Sequence, residues 1–189
     1  EDVAHLFARR GAEGLVICGR NTHNGRKVAD SIIGQGCPTH FVEADLESLD
    51  DCKKVISEAE SRFGRIDSLV NCAAMTDRGT ILDTSPELFE RMFATNARAP
   101  FFLMQGALNI MIREGIEGTV VNVQSMSAHG GQSFITAYCG SKGALSVLTK
   151  NAAYSVMRHR IRINGLNIGW MDSQGEDRIQ KKYHGAAEN

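Results

Sequence analysis

Thr119-Val120-Val121-Asn122-Val123-Gln124-Ser125-Met126-Ser127, read with Tyr138-Cys139-Gly140-Ser141-Lys142, decides the fold. The first stretch is a β-branched apolar run that ends on polar residues, which reads as a buried strand with a polar carboxyl end. The second sets a phenol and an ammonium four residues apart. That is just over one helical turn, so both share a helix face. A lysine cation beside a tyrosine favours phenolate and lowers a pKa that ordinarily lies near ~10. Such a phenol gives and takes protons near neutral pH. Ser125, thirteen residues upstream of Tyr138 on another element, could hold a substrate oxygen next to it. A Tyr-x-x-x-Lys pair alone carries little, because in most helices it is an exposed lysine covering a ring.

Working outward, strand and helix patterns alternate along the chain. Apolar residues at 3, 6 and 7 give a first helix face, closed by Gly11. A strand follows at 15–19, a helix at 24–34 and a strand at 38–43. A helix at 48–63 leads to strand 66–71, and a long helix at 86–113 to strand 118–124. Helix 137–157 leads to strand 160–166, and a short helix lies at 174–183. Thr84-Ser85 before Pro86 reads as a helix start. Pro100 falls inside the long helix and is expected to bend it. The alternation implies an α/β fold with a doubly wound parallel sheet covered on both faces. Asn71 and Ser125 at strand ends, with Asn96 on the long helix, suggest the ligand crevice of such a sheet.

These segments resemble the classical short-chain dehydrogenase/reductase family. The likeness is carried by Asn71-Cys72-Ala73-Ala74, Asn96, Ser125, the Tyr138/Lys142 pair and Asn164-Gly165-Leu166-Asn167-Ile168-Gly169-Trp170, and it spans about residues 1–183. It implies a Rossmann-like sheet and hydride transfer between a nicotinamide dinucleotide and a carbonyl or alcohol carbon. Asn96, Ser125, Tyr138 and Lys142 would be the catalytic set. Ser125 would bond the substrate oxygen and Tyr138 would exchange its proton. Lys142 would stabilise the phenolate and hold the nicotinamide ribose, and Asn96 would organise a water. The resemblance also implies a first strand between those at 14–19 and 66–71, a Gly-rich phosphate loop, and a final helix and edge strand. None of these is in the sequence, so residues 1–189 are read as one dinucleotide-binding domain, incomplete at both ends. The family pairs helices 86–113 and 137–157 across two-fold axes, which implies a homotetramer.

The expected cofactor residues are Arg20, Asn21, Asp45, Leu46, Asn71, Ala73, Tyr138, Lys142, Gly169, Met171 and Ser173. Strand 15–19 ends in Gly19-Arg20-Asn21. A carboxylate there would bond a ribose 2′-hydroxyl and repel a 2′-phosphate, whereas arginine bonds a phosphate twice. NADP is therefore expected over NAD, which stays possible; alternatively Arg20 is a solvated loop cation. His129 and Trp170 are expected beside Ser125 in the substrate pocket. Asp172, Glu176 and Asp177 make the following segment acidic, which leans toward a neutral ketone, polyol or sugar.

Bulk properties bound the rest. The chain has 189 residues, a net charge of −1, 42% hydrophobic and 23% charged residues. Nothing suggests a nucleic-acid surface or a membrane partner. Five scattered cysteines read as reduced thiols of a cytoplasmic protein. The six histidines show no metal-ligand spacing. Two other readings compete: a non-catalytic nicotinamide-nucleotide-binding scaffold or redox sensor, which would need no tetrad, and an epimerase or dehydratase of the same family.

Overall fold

The computed structural model of the chain describes residues 1–171 and 174–184. Strands and helices alternate as α1 (Asp2–Arg9), β1 (Leu15–Gly19), α2 (Thr22–Ile33), β2 (Thr39–Glu43), α3 (Leu49–Phe63), β3 (Ser68–Asn71), α4 (Pro86–Phe93), α5 (Ala99–Arg113), β4 (Thr119–Ser125), α6 (Thr136–Val156), β5 (Arg162–Ile168) and α7 (Gln174–His184). Local chemistry sets several starts. Asn21, Ser48 and Ser85 each cap a helix by accepting a backbone N–H three residues on. Pro86 occupies the first turn of α4, where its missing N–H costs nothing.

All pairings between strands are parallel, in two groups. β1 pairs with β2, with Gly19 opposite Glu43. β4 lies between β3 and β5, with Asn71 opposite Asn122 and Ser125 opposite Ile168. Among the described residues, β1 and β3 share no ladder.

The main core lies between the three-stranded group and helices α5 and α6. Met104, Ala107, Met111, Val120, Val156 and Ile163 meet there. β4 is buried at alternate positions, so polar Asn122 and Gln124 also face inward. They are satisfied by one another's neighbours. Asn71 Nδ2 donates to Asn122 Oδ1 at 2.8 Å, and Asn122 Nδ2 and Gln124 Nε2 both donate to Thr149 Oγ1, at 2.9 and 3.0 Å. Gly165 makes room for this network, since a Cβ there would fall 2.3 Å from Gln124 Nε2.

The long helix expected at 86–113 is helical throughout, but not uniformly α. A π turn, Ala94–Arg98, joins α4 to α5. Pro100 has no N–H to give the Asn96 carbonyl and its ring crowds that turn. The wider π turn accommodates both demands. β5 starts two residues later than expected, at Arg162. A 3₁₀ turn at Met157–His159 and a left-handed Arg160 occupy the intervening positions.

Candidate active site

Parallel strands deliver their carboxyl ends to one side, and the expected catalytic residues gather at the ends of the three-stranded group. Ser125 is the last residue of β4 and is buried. Its Oγ accepts the Ser127 N–H at 3.1 Å, so its own hydrogen remains available to donate. Tyr138 and Lys142 lie on the first turns of α6. Lys142 is 2% exposed, its Nζ donates to the Val123 carbonyl at 2.9 Å and lies 5.9 Å from the Tyr138 ring centroid. Burial pulls the ammonium pKa from 10.5 down to about 8, opposed by the nearby Cys72 thiol.

Asn96 is fully buried in the π turn, and its side chain is engaged on both ends. Its Oδ1 accepts the Met75 N–H, and its Nδ2 donates to the Met75 carbonyl, both at 2.8 Å. Nδ2 also donates to Ser141 Oγ at 3.0 Å. The side chain therefore clamps the loop after β3 to α6. That loop is held again four residues on. Gly79 N–H donates to the Phe134 carbonyl and the Gly79 carbonyl accepts the Thr136 N–H, at 2.9 and 3.0 Å.

A cavity of about 240 Å³ opens between these parts. Ser125 and Tyr138 line it together with Thr76, Arg78, Ser127 and Gln132. Phe134, Ile135, Ile168, Trp170 and Met171 supply an apolar wall, and Gly169 completes the rim. A few convergent polar groups in an otherwise apolar hollow suit a small polar molecule. Trp170 thus stands where the sequence reading puts it. His129 does not. It ends an exposed 3₁₀ turn, and Gly130 and Gly131, both at positive φ, swing the chain so that Gln132 and Phe134 reach the cavity. Arg78 is among the lining residues that sequence reasoning missed, with Thr76, Phe134 and Ile135. It sits in an aperiodic loop, and only the long-range bridge between Gly79 and Ile135 brings it to the site.

A sequence model of one family, described as short chain dehydrogenase, matches residues 1–184. The chain belongs to the short chain dehydrogenase family of NAD(P)-dependent oxidoreductases. It is 31% identical over 180 residues to a sorbitol dehydrogenase of Cereibacter sphaeroides, covering 95% of this chain and 69% of that one. It is 31% identical over 171 residues to a galactitol 2-dehydrogenase of Agrobacterium fabrum, covering 90% and 65%. Among solved structures, a gluconate 5-dehydrogenase from Burkholderia cenocepacia, in complex with NADP and tartrate, matches with a TM-score of 0.85 at 26% identity, covering 98% of this chain and 70% of that one. The chain spans about two thirds of the length of the curated relatives it matches.

The residues expected to hold the dinucleotide stand after β1, β2 and β3 and at the cavity rim. Arg20 is an exposed cation directly after β1. Asn21 uses its side-chain oxygen to cap α2. Asp45 Oδ1 accepts the Glu47 N–H, and Leu46 packs beside Cys52. Asn71 is buried in the amide network, and Ala73 is exposed in the loop behind it. At the other end, Gly169 and Met171 reach the cavity rim, whereas Asp172 and Ser173 lie outside the described residues. Among the described residues no helix is long and apolar enough to cross a membrane, and no group of metal-ligating side chains forms.

Proposed function

We propose that this chain forms the catalytic part of an NADP(H)-preferring oxidoreductase that interconverts a secondary alcohol and a ketone in a small polyol or sugar. The observation that carries the reading is the shared cavity of Ser125 and Tyr138, with Lys142 buried one helical turn behind the phenol. Ser125 donates to the substrate oxygen. Tyr138 takes the alcohol proton, or returns it to the nascent alkoxide in reduction. The Lys142 charge favours the phenolate that does this. Asn96 acts through the loop and helix it clamps, and Pro100 leaves its carbonyl free of an α-helical donor, which suits the expected water. Positioned acid–base work of this kind contributes about 10²–10⁴ in rate.

The nicotinamide cofactor, when bound, supplies or accepts the hydride. Arg20, Asn21, Asp45, Leu46, Asn71 and Ala73 would hold its adenosine half, and Tyr138, Lys142, Gly169, Met171 and Ser173 its nicotinamide half. Arg20 and the absence of a carboxylate at Gly19 favour the 2′-phosphate. Relatives named for sorbitol and galactitol support a polyol. The same reading makes the protein a single-domain cytoplasmic homotetramer. Exposed Phe101 on α5, Val147 and Tyr154 on α6 and the following Met157 support an assembly surface.

Initial rates with neutral polyols, sugars and simple ketones, each paired with NADP(H) and NAD(H), test this. At least one alcohol–ketone pair should turn over, faster with NADP(H). No turnover with any pair would overturn it.

A further inference from the structure

Ser127 and Gln132 line the cavity with Ser125 and Tyr138, and the proton exchange gives them no part. Hydrogen bonds join Ser125, Ser127 and Gln132 in a line. The Ser127 N–H donates to Ser125 Oγ at 3.1 Å, and Ser127 Oγ donates to Gln132 Oε1 at 2.5 Å. A side-chain amide has one acceptor end and one donor end. Ser127 occupies the acceptor end, so the end left for a ligand is Nε2 with its two N–H groups. Among the described residues Nε2 has no hydrogen-bond partner, and it is not sealed from solvent.

The amide is also held through its backbone. Gly130 and Gly131 take φ of +80° and +87°, with nothing within 4 Å of a Cβ at either. They double the chain back, so that Gln132 meets a serine five positions before it. The Gln132 carbonyl accepts the Ile135 N–H at 3.3 Å and the Cys139 thiol at 4.0 Å, which ties it to the N-cap and first turn of α6. Backbone and side chain are thus fixed at separate points, and a preset donor loses little freedom on binding. Gln132 is half-buried beside the apolar wall, where a hydrogen bond is stronger than in open water.

From this geometry we infer that Gln132 is a substrate-specificity residue. Its Nε2 binds an oxygen on the carbon next to the reacting one, so the substrate is a vicinal diol and, in reduction, an α-hydroxyketone. The inference rests on the alcohol–ketone reading of the same site. The reacting oxygen takes the Ser125 hydrogen and faces Tyr138. Ser127 is the single residue between the two donors. Oxygens on neighbouring carbons, each about 3 Å from its donor, span such a gap. The neighbouring hydroxyl is unchanged by the reaction, so Gln132 serves both directions.

The test uses 2-butanol, 2,3-butanediol and 2,4-pentanediol. Either carbinol of butanediol has the other as its neighbour, so the preference does not depend on which one reacts. Binding is measured by calorimetry and turnover by cofactor absorbance. Butanediol should bind about tenfold tighter than butanol, the scale of one donor otherwise left unpaired, and pentanediol should gain less. Gln132→Met keeps the length of the side chain and removes the amide, and it should bring butanol and butanediol within about twofold of each other. Ser127→Ala frees the amide to turn, and it should lower the preference at least twofold. Thermal midpoints identify a loss of fold, and the alanine variant still decides the matter if methionine unfolds the loop. Equal binding of butanol and butanediol, a preference for pentanediol, or a butanediol preference that survives Gln132→Met overturns the inference. A butanediol preference without any turnover upholds the Gln132 subsite and overturns the oxidoreductase reading. Turnover of butanol and butanediol alike does the reverse.

Discussion

The two parts of the sheet are built differently. β4 has a strand on each side, and its inward residues are enclosed even where they are polar. Among the described residues β1 has one neighbour, and most of its positions are half-buried at best, although Leu15-Val16-Ile17 is as apolar as β4. Burial thus follows the number of strand partners and not the composition of the run. The candidate site residues divide along the same line. Ser125, Tyr138, Lys142, Asn96 and Arg78 all hang from the three-stranded part and its helices. Arg20, Asn21 and Asp45 sit at the exposed ends of β1 and β2. The end that carries Ser125, Tyr138 and Lys142 is over-determined by buried contacts, and the end that carries Arg20, Asn21 and Asp45 is set by single residues at a surface. Each of the following measurements strains that contrast.

The largest effect should come from the over-determined end. Tyr138→Phe removes one hydroxyl and keeps the ring beside Lys142. Turnover should fall by about 10²–10⁴-fold, while cofactor affinity measured by fluorescence titration stays within about twofold. Activity within tenfold of the parent would take the proton transfer away from Tyr138.

Next in size is the amide network under β4. Thr149→Val keeps volume and shape but leaves the Asn122 and Gln124 amides without the oxygen they share. Unsatisfied buried donors of this kind should cost about 3 kcal/mol in urea unfolding. Ile17→Ala in half-buried β1 should cost only about 1 kcal/mol. Equal costs would mean that the two parts are equally packed. Amide hydrogen exchange should order the same way, with β4 slower than β1.

Lys142 supplies the third effect, through pH. Its folded-state pKa is lowered to about 8 against 10.5 by burial. Between those values the unfolded chain binds the extra proton, so stability attributable to Lys142 rises as pH goes from 8 to 10.5. The rise is worth up to about 3 kcal/mol. Cys52, whose buried thiol is pushed up, works in the opposite sense over alkaline pH. The readout is therefore the difference between parent and Lys142→Met in unfolding midpoint at pH 7, 8, 9 and 10. The gap should favour the variant at pH 7 and narrow as pH rises. A gap that widens would mean the ammonium is stabilised where it lies.

Most elements were legible in the sequence because strand alternation and helix period are local. So was the meeting of Ser125, Tyr138 and Lys142, which one strand and one helix present. What was not legible depends on chain segments far apart. The Asn71 side chain bonds Asn122 across the β3–β4 ladder, 51 positions along the chain, a pairing that no local pattern announces. His129 was placed by proximity to Ser125, but two left-handed glycines turn the chain beyond it. The π turn needed Pro100 and the Asn96 clamp together. Arg78 carries no periodic signal at all, and its place at the cavity depends on the bridge from Gly79 to Ile135, 56 positions apart in the chain.

The smallest effect belongs to the surface-set end. Gly19 closes β1 opposite Glu43, whose carboxylate already accepts the Thr22 hydroxyl at 2.6 Å. A Cβ at position 19 would meet nothing nearer than Phe41 Cε2 at 3.9 Å, ordinary contact distance. Gly19→Asp should therefore fold like the parent. Its new carboxylate would stand beside Arg20, accepting from a ribose 2′-hydroxyl and repelling a 2′-phosphate. The ratio of kcat/KM for NADP over NAD should fall by about tenfold, roughly 1.4 kcal/mol of discrimination, with little change in the melting midpoint. A shift toward NADP, or a parent that prefers NAD, would show that Arg20 is only a solvated cation. A large loss of stability would instead show that the end of β1 is as tightly determined as the end of β4, and the contrast between the two parts would fail there.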